Sequence, residues 1–360
     1  MNEISLATTL SQSSQLPQHF TFYLQYEQPF LWEKLLAFYR YRMLEGVELI
    51  GQDFYARTVR LCGEGACSNV GAVVGENVCG SADVSAGESA RGKAGEGAGE
   101  NARSHAGEGE NSPLTGWIFV QNDVENSRLA VCASTSLVPA RANLERRIRQ
   151  MFDLDCNVQA SYAELASLDQ KVPGAVKCGT RVPGSFDSFE IACRAIIGQQ
   201  VSVLAANKIA ARIVEHYGTR IETGIEGLIS AFPTPAEVLA IENPEEAFGL
   251  LGVIKTRTRT MCEIARLIES GALDFSVSCK GNEEQGSALV AQLQSIKGIG
   301  PWSANYIVMR VAAFDDAFLE TDAGVKHALP DFSPRERLEL SQGWRPYRSY
   351  AVLSLWNSLV

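Results

Sequence analysis

Residues 293–306 and 318–326 carry the side chains and spacings that bear most directly on chemistry. In the first stretch Gly298 and Gly300 flank Ile299, and Pro301 follows. Leu289, Leu293 and Ile296 share a helical face upstream, and Ala304, Ile307, Val308 and Val311 share one downstream. This spacing predicts two amphipathic helices across residues 289–313, joined by a hairpin too tight for side chains at Gly298 and Gly300. The second helix opens at Pro301, so its first backbone N–H groups lack intrahelical partners. Such amides bind phosphate without needing basic side chains. An ordinary helical hairpin with a glycine turn satisfies the same pattern, and spacing alone leaves both readings open. In the second stretch Asp322 stands ahead of the helical positions 325–329, as an N-cap would. A capping carboxylate is also held in one orientation, so capping and chemistry at Asp322 are compatible. Arg257 and Arg259, in the basic run 255–259 ahead of a helix, are candidate phosphate contacts or solvated surface cations.

Positioning these residues requires a scaffold, and 360 residues suffice for two or three domains. Phe20, Phe22, Leu24 and Tyr26 alternate with Thr21, Tyr23, Gln25 and Glu27, which predicts a half-buried strand, and residues 31–43 follow as a helix. Residues 117–120 and 129–133 read as further strands with a turn at 122–127. Between these elements, residues 62–112 hold 12 of the 31 glycines in near-repeats of Ala-Gly-Glu with hardly a large apolar side chain. Such a segment cannot offset the entropy of its own ordering, so a disordered insertion is expected inside a hairpin loop of an N-terminal α+β domain, residues 1–138. From Pro139 to residue 360 the pattern is helical. Leu144, Ile148 and Met151 share one face, with Arg141, Arg146, Arg147 and Arg149 on the others. Ser202 is placed to cap a helix carrying Ala206, Ile209, Ala210, Ile213, Val214 and Tyr217, with Gly218 as its stop. The fold class expected is therefore α+β, a small antiparallel sheet with helices followed by a mostly helical region.

The net charge of −10 argues against a partner held by a basic field. Residues 62–112 hold eight acids against three bases, which places half of that excess in the insertion. The remainder is still acidic, so any phosphate contact must rely on backbone amides and a few placed cations. The nine cysteines are scattered and form no C-x-x-C pair, which excludes a zinc ribbon and a disulfide framework as readings of the pattern. No apolar run is long enough for a membrane span, and the N-terminus lacks the order of a signal peptide. A cytoplasmic protein is expected.

Residues 293–306 closely resemble the helix-hairpin-helix of the DNA glycosylase superfamily, and four further blocks resemble the DNA-3-methyladenine glycosylase II family in particular. These are 54–57, 152–157, 182–202 from Val182-Pro183-Gly184 to Gly198-Gln199-Gln200-Val201-Ser202, and 344–356. Apart from the insertion, the resemblance covers nearly the whole chain. It implies an N-terminal antiparallel sheet followed by a two-subdomain helical core, with the active site in the cleft between the helical subdomains. Asp322, about twenty residues after the hairpin, matches the family's essential aspartate. Gly298, Ile299 and Gly300 match the phosphate-binding hairpin, where the carbonyls of Gln294, Ile296 and Ile299 would hold Na+ or K+ in the DNA complex. No cofactor for chemistry is implied. Trp302, Tyr306 and Trp356 match the family's aromatic cleft, and buried core positions would suit them equally. Trp302 also occupies the place where the strand-cleaving relatives carry a nucleophilic lysine, and no cysteine follows Cys279 to hold an iron–sulfur cluster. Gln200 departs from the family, which puts an apolar wedge there to fill the gap left by a flipped base; a plain loop residue is the other reading.

The resemblance implies a monofunctional glycosylase, acting as a monomer on double-stranded DNA that contains alkylated purines and releasing the base from an extruded nucleotide. Asp322 would stabilise an oxocarbenium-like sugar and orient or activate water. Two rivals stand beside it. One is a related glycosylase for another lesion, and the other is a non-catalytic DNA-binding or lesion-sensing module, which has no use for a carboxylate facing a polyanion.

Overall fold

The computed structural model describes residues 17–61 and 113–359. Five strands, β1 (His19–Gln25), β2 (Glu48–Ile50), β3 (Phe54–Leu61), β4 (Leu114–Asp123) and β5 (Arg128–Ser134), form an antiparallel sheet in the order β1-β5-β4-β3-β2. Helix α1 (Trp32–Tyr41) lies between β1 and β2, and α2 (Arg141–Met151) follows β5. The rest is mostly helical, apart from a short antiparallel pairing of Thr219–Arg220 with Ser230–Ala231. It runs through α3 (Val158–Glu164), α4 (Ala166–Lys171), α5 (Ser188–Ile197), α6 (Val203–Tyr217), α7 (Pro235–Leu239) and α8 (Pro244–Leu250). It continues through α9 (Lys255–Glu269), α10 (Glu283–Gln294), α11 (Pro301–Val311), α12 (Ala323–Ala328), α13 (Pro334–Leu340) and α14 (Arg348–Asn357). None of these helices is long and apolar enough to cross a membrane.

The strand β1 keeps the expected alternation, with Phe22 and Leu24 buried and Thr21, Tyr23 and Gln25 facing out. Strands β3, β4 and β5 are buried on both faces instead. On one side Tyr55, Val59, Ile118, Val120 and Val131 pack against Leu36 and Tyr39 of α1. On the other, Ala56, Trp117, Phe119 and Cys132 meet Ile225 and Leu228 of the helical region. A sheet covered on both faces reads as continuous apolar runs rather than alternation. Leu61 and Leu114 are register partners at the end of the β3–β4 pair, so the chain leaves and re-enters the sheet at one hairpin end. The expected insertion, residues 62–112, lies outside the described residues.

Pro139 sits within a 3-10 turn, Thr135–Ala140, and α2 begins two residues later than its position suggested. The face read from α2 is correct, but Leu144, Ile148 and Met151 pack into the sheet's core together with Phe152, Leu154 and Phe186. The α+β core therefore draws on residues well beyond 138. The helical core is built on α5 and α11, which pack against each other, with α9 against α5 and α10 against α11. Ser202 caps α6 as expected, its hydroxyl accepting from the Ala205 amide at 3.2 Å.

Candidate active site

The hairpin predicted at 289–313 is α10, a turn, and α11. Gly298 has φ +97°, and a Cβ there would lie 2.3 Å from Thr260 Oγ1 on α9, so glycine is required by both conformation and space. The expectation that Gly300 is crowded in the same way is not met. Its φ is −90°, and among the described residues a Cβ would meet nothing within 4 Å. Among the described residues no side chain caps the N-terminus of α11. At the turn the Ile296 carbonyl accepts the Ile299 amide at 3.0 Å. The candidate donors at 294, 296 and 299 are neutral carbonyl oxygens, a set that suits a hard monovalent cation and no thiophilic metal.

Two features missed by the sequence reading fix the loop beside this turn. Gln199 Nε2 donates to the Gly298 carbonyl at 2.9 Å and to Ser303 Oγ at 3.0 Å. Arg257 donates to the carbonyls of Ile197, at 3.3 Å, and of Gln199. Arg257 therefore acts as a clamp on the loop between α5 and α6, rather than projecting as a free cation. Arg259 is solvent-exposed and paired with Glu245 at 2.7 Å. Gln200 stands at the exposed tip of the clamped loop, in the left-handed region at φ 57°.

Asp322 is the N-cap of α12, as its position predicts. Its Oδ1 accepts the amides of Gly324 at 2.8 Å and Val325 at 3.1 Å. Both indoles join it: Trp356 Nε1 donates to Oδ1 at 2.7 Å and Trp302 Nε1 to Oδ2 at 3.0 Å. All four partners can only donate, so the carboxylate is held as an acceptor in one orientation. It is 9% exposed, at the wall of a cleft of about 770 Å³. Gly324 makes the arrangement fit, because a Cβ there would come within 2.5 Å of Trp356 Cδ1.

Trp302, Tyr306 and Trp356 all line this cleft. Trp302 and Tyr306, one turn apart on α11, stack with centroids 5.1 Å apart and an 8° interplanar angle. The Tyr306 hydroxyl accepts from Arg310 at 3.0 Å. Burial pushes the Tyr306 phenol up, but the charges of Arg310, Arg42 and Arg194 outweigh it and bring it down to about 8. The cleft is not confined to the helical subdomains. Phe38 of α1 stacks on Trp356 at 6.1 Å, and the guanidinium of Arg42, just past α1, lies 3.8 Å over Phe38. The N-terminal domain thus supplies one wall. Phe38 and Arg42 escaped the sequence reading because a helix whose apolar face covers a sheet gives no local sign that its end also borders a cleft.

This is the fold of the DNA glycosylases that carry a helix-hairpin-helix. The solved 3-methyladenine DNA glycosylase of Archaeoglobus fulgidus superposes with a TM-score of 0.65 at 17% identity, over 93% of this chain and 97% of its own. Residues 21–187 match the family model of the AlkA N-terminal domain. The chain is 34% identical to DNA-3-methyladenine glycosylase 2 of Escherichia coli (strain K12), over 65% of this chain and 78% of that protein. It is 33% identical to the DNA-3-methyladenine glycosylase of Bacillus subtilis (strain 168), over 61% and 73%. The chain belongs to the DNA-3-methyladenine glycosylase 2 family.

Proposed function

We propose that this protein is a monofunctional DNA glycosylase that hydrolyses the N-glycosidic bond of alkylated purines in duplex DNA. The observation that carries this is Asp322, gripped by four N–H donors at the wall of an aromatic cleft and reached from the same helix that opens at the hairpin. The target bond is hidden in a duplex, so the nucleotide is extruded, at a cost of about a few kcal/mol that is lower for damaged pairs. The stacked faces of Trp302 and Tyr306 receive the base. N3- and N7-alkylated purines are cationic, and a cation over an aromatic face gains roughly 0.5–2 kcal/mol.

A cationic base leaves readily, and the requirement then falls on the sugar. As the bond lengthens, positive charge grows on the deoxyribose ring, and the fixed carboxylate of Asp322 stabilises it without reorganising. Asp322 also orients the attacking water and accepts its proton, so that the products are free base and an abasic site. Trp302 stands where a Schiff-base lysine would be needed for strand cleavage, and it spends its N–H on Asp322 instead.

Binding rests on the uncapped N-terminus of α11 and on Gly298, Ile299 and Gly300 rather than on bulk charge. The carbonyls of Gln294, Ile296 and Ile299 would hold a Na+ or K+ ion there, which supplies a positive charge between protein and phosphate. Gln200, on its clamped loop, fills the space vacated by the base. The protein acts as a monomer in the cytoplasm. The test is release of 3-methyladenine and 7-methylguanine from methylated duplex by the wild type and by Asp322→Asn, with strand breaks scored before and after alkali. Release by the wild type alone, with strands intact until alkali, is expected. Strand cleavage without alkali, or equal release by the variant, would refute the reading.

A further inference from the structure

The arginine that borders the cleft from the N-terminal domain has no role in the mechanism above. Arg42 is the C-cap residue of α1, and its guanidinium lies over the Phe38 ring at 3.8 Å and 5.8 Å from the Trp356 ring. Its backbone carbonyl is held by the Arg194 guanidinium, which is itself tied to Glu190 at 2.7 Å and Glu48 at 3.5 Å, all three nearly inaccessible to solvent. The position is therefore rigid. Among the described residues no carboxylate lies within ion-pairing distance of Arg42. Its Nη1 donates to the Phe38 carbonyl at 3.4 Å, and the guanidinium lies within hydrogen-bonding reach of the Tyr306 hydroxyl. A guanidinium has five N–H donors, more than these two acceptors take up, and Arg42 lines the cleft beside Tyr306.

The direction of approach decides what those donors meet. Trp356 borders both groups: its Nε1 is 2.7 Å from Asp322, and the Arg42 guanidinium lies 5.8 Å from its ring. A purine laid along this indole with its glycosidic nitrogen at Asp322 turns its edge distal to the sugar toward Arg42. At C6 on that edge a 6-oxopurine offers a carbonyl acceptor, whereas a 6-aminopurine offers two N–H hydrogens there and has its acceptor at N1 instead.

We infer that Arg42 is a specificity-determining residue that reads the distal edge of the extruded base and favours a 6-oxopurine over a 6-aminopurine. The inference rests on the proposed reading that the cleft takes an alkylated purine. It goes further, since it ranks members of that class whose positive charge is equal. Charge repulsion by Arg42 applies to both bases alike and cancels in their ratio, so the ratio isolates the hydrogen bond.

The experiment is one reaction containing both lesions: duplex DNA treated with dimethyl sulfate, with release of 7-methylguanine and 3-methyladenine followed together, each as a single-turnover rate per lesion. Wild type is compared with Arg42→Met, which keeps the stem and removes every donor, and with Arg42→Lys, which keeps the charge and loses the planar fork. A hydrogen bond to a charged donor corresponds to roughly a ten- to hundredfold effect. Arg42→Met should lower the 7-methylguanine to 3-methyladenine ratio by that factor, with 3-methyladenine release unchanged or faster, and Arg42→Lys should fall between. A ratio that stays within about twofold of wild type in both variants overturns the inference, whether the two rates hold or fall together. Should Arg42→Met not fold, the Arg42→Lys ratio decides in the same way. Failure of the wild type to release either base instead overturns the glycosylase reading itself.

Discussion

Replacing Asp322 by Asn separates the two duties of this side chain, and the geometry says how each responds. Asparagine caps helices about as well as aspartate. With its amide oxygen in the place of Oδ1, it still accepts from Gly324, Val325 and Trp356. The amide nitrogen then takes the place of Oδ2, and Trp302 Nε1, 3.0 Å away, finds a donor where it had an acceptor. One charge-assisted hydrogen bond is lost and one buried N–H is left unsatisfied, which costs about 1–3 kcal/mol of stability. A domain of stability in the usual range of roughly 5–15 kcal/mol tolerates this and stays folded. Catalysis responds differently, because the amide cannot offer a full negative charge to the sugar. Removing one preorganised electrostatic group costs about 10²–10³ in rate, and here that group is the only carboxylate lining the cleft among the described residues. The assay is single-turnover base release at saturating enzyme, beside a thermal melt and a binding titration on uncleaved duplex. A variant that melts within several degrees of wild type and binds DNA, yet releases base within tenfold of the wild-type rate, would refute the assignment.

Gly298→Ala should destabilise the protein, since its Cβ would overlap Thr260 Oγ1 at φ +97°, whereas Gly300→Ala should melt normally and weaken duplex binding; thermal melts beside binding titrations check the contrast. Tyr306 supplies a pH dependence. Its phenol ionises near 8, below its unfolded value of about 10, so it should add stability as pH rises from about 8 to 10 and lose it as pH falls back through 8. As pH rises through about 8 the new negative charge should tighten binding of a cationic base in the cleft, and Tyr306→Phe should remove both pH effects, read by pH-dependent melts and binding titrations. Arg257→Ala should weaken DNA binding by loosening the Gln199–Gln200 loop while leaving the salt dependence of affinity unchanged; a slope reduced by about one in log–log units would make Arg257 a direct phosphate contact instead.

Much of this molecule is legible along the chain because the signals are local. Glycine at 298 needs only its own φ and a neighbouring turn to be recognised. The faces of α2, α6, α10 and α11 follow from 3.6-residue periodicity, and Ser202 and Asp322 are caps whose partners lie two or three residues away. The identity of Trp302, Tyr306 and Trp356 as cleft residues came from resemblance, since an aromatic at helical spacing is as readily a core residue.

Tertiary structure alone decided the rest, because it concerns groups that meet only when distant segments pack. The two indoles on Asp322 come from residues 302 and 356, and the wall beside them from Phe38 and Arg42. No pattern within a window of sequence records those approaches. The same holds for Arg257, whose basic neighbourhood suggests solvent and whose guanidinium is spent on carbonyls at 197 and 199. Gly300 is the converse case. The chain shows its glycine plainly, and only the fold reveals that no described residue comes within 4 Å of where its Cβ would stand.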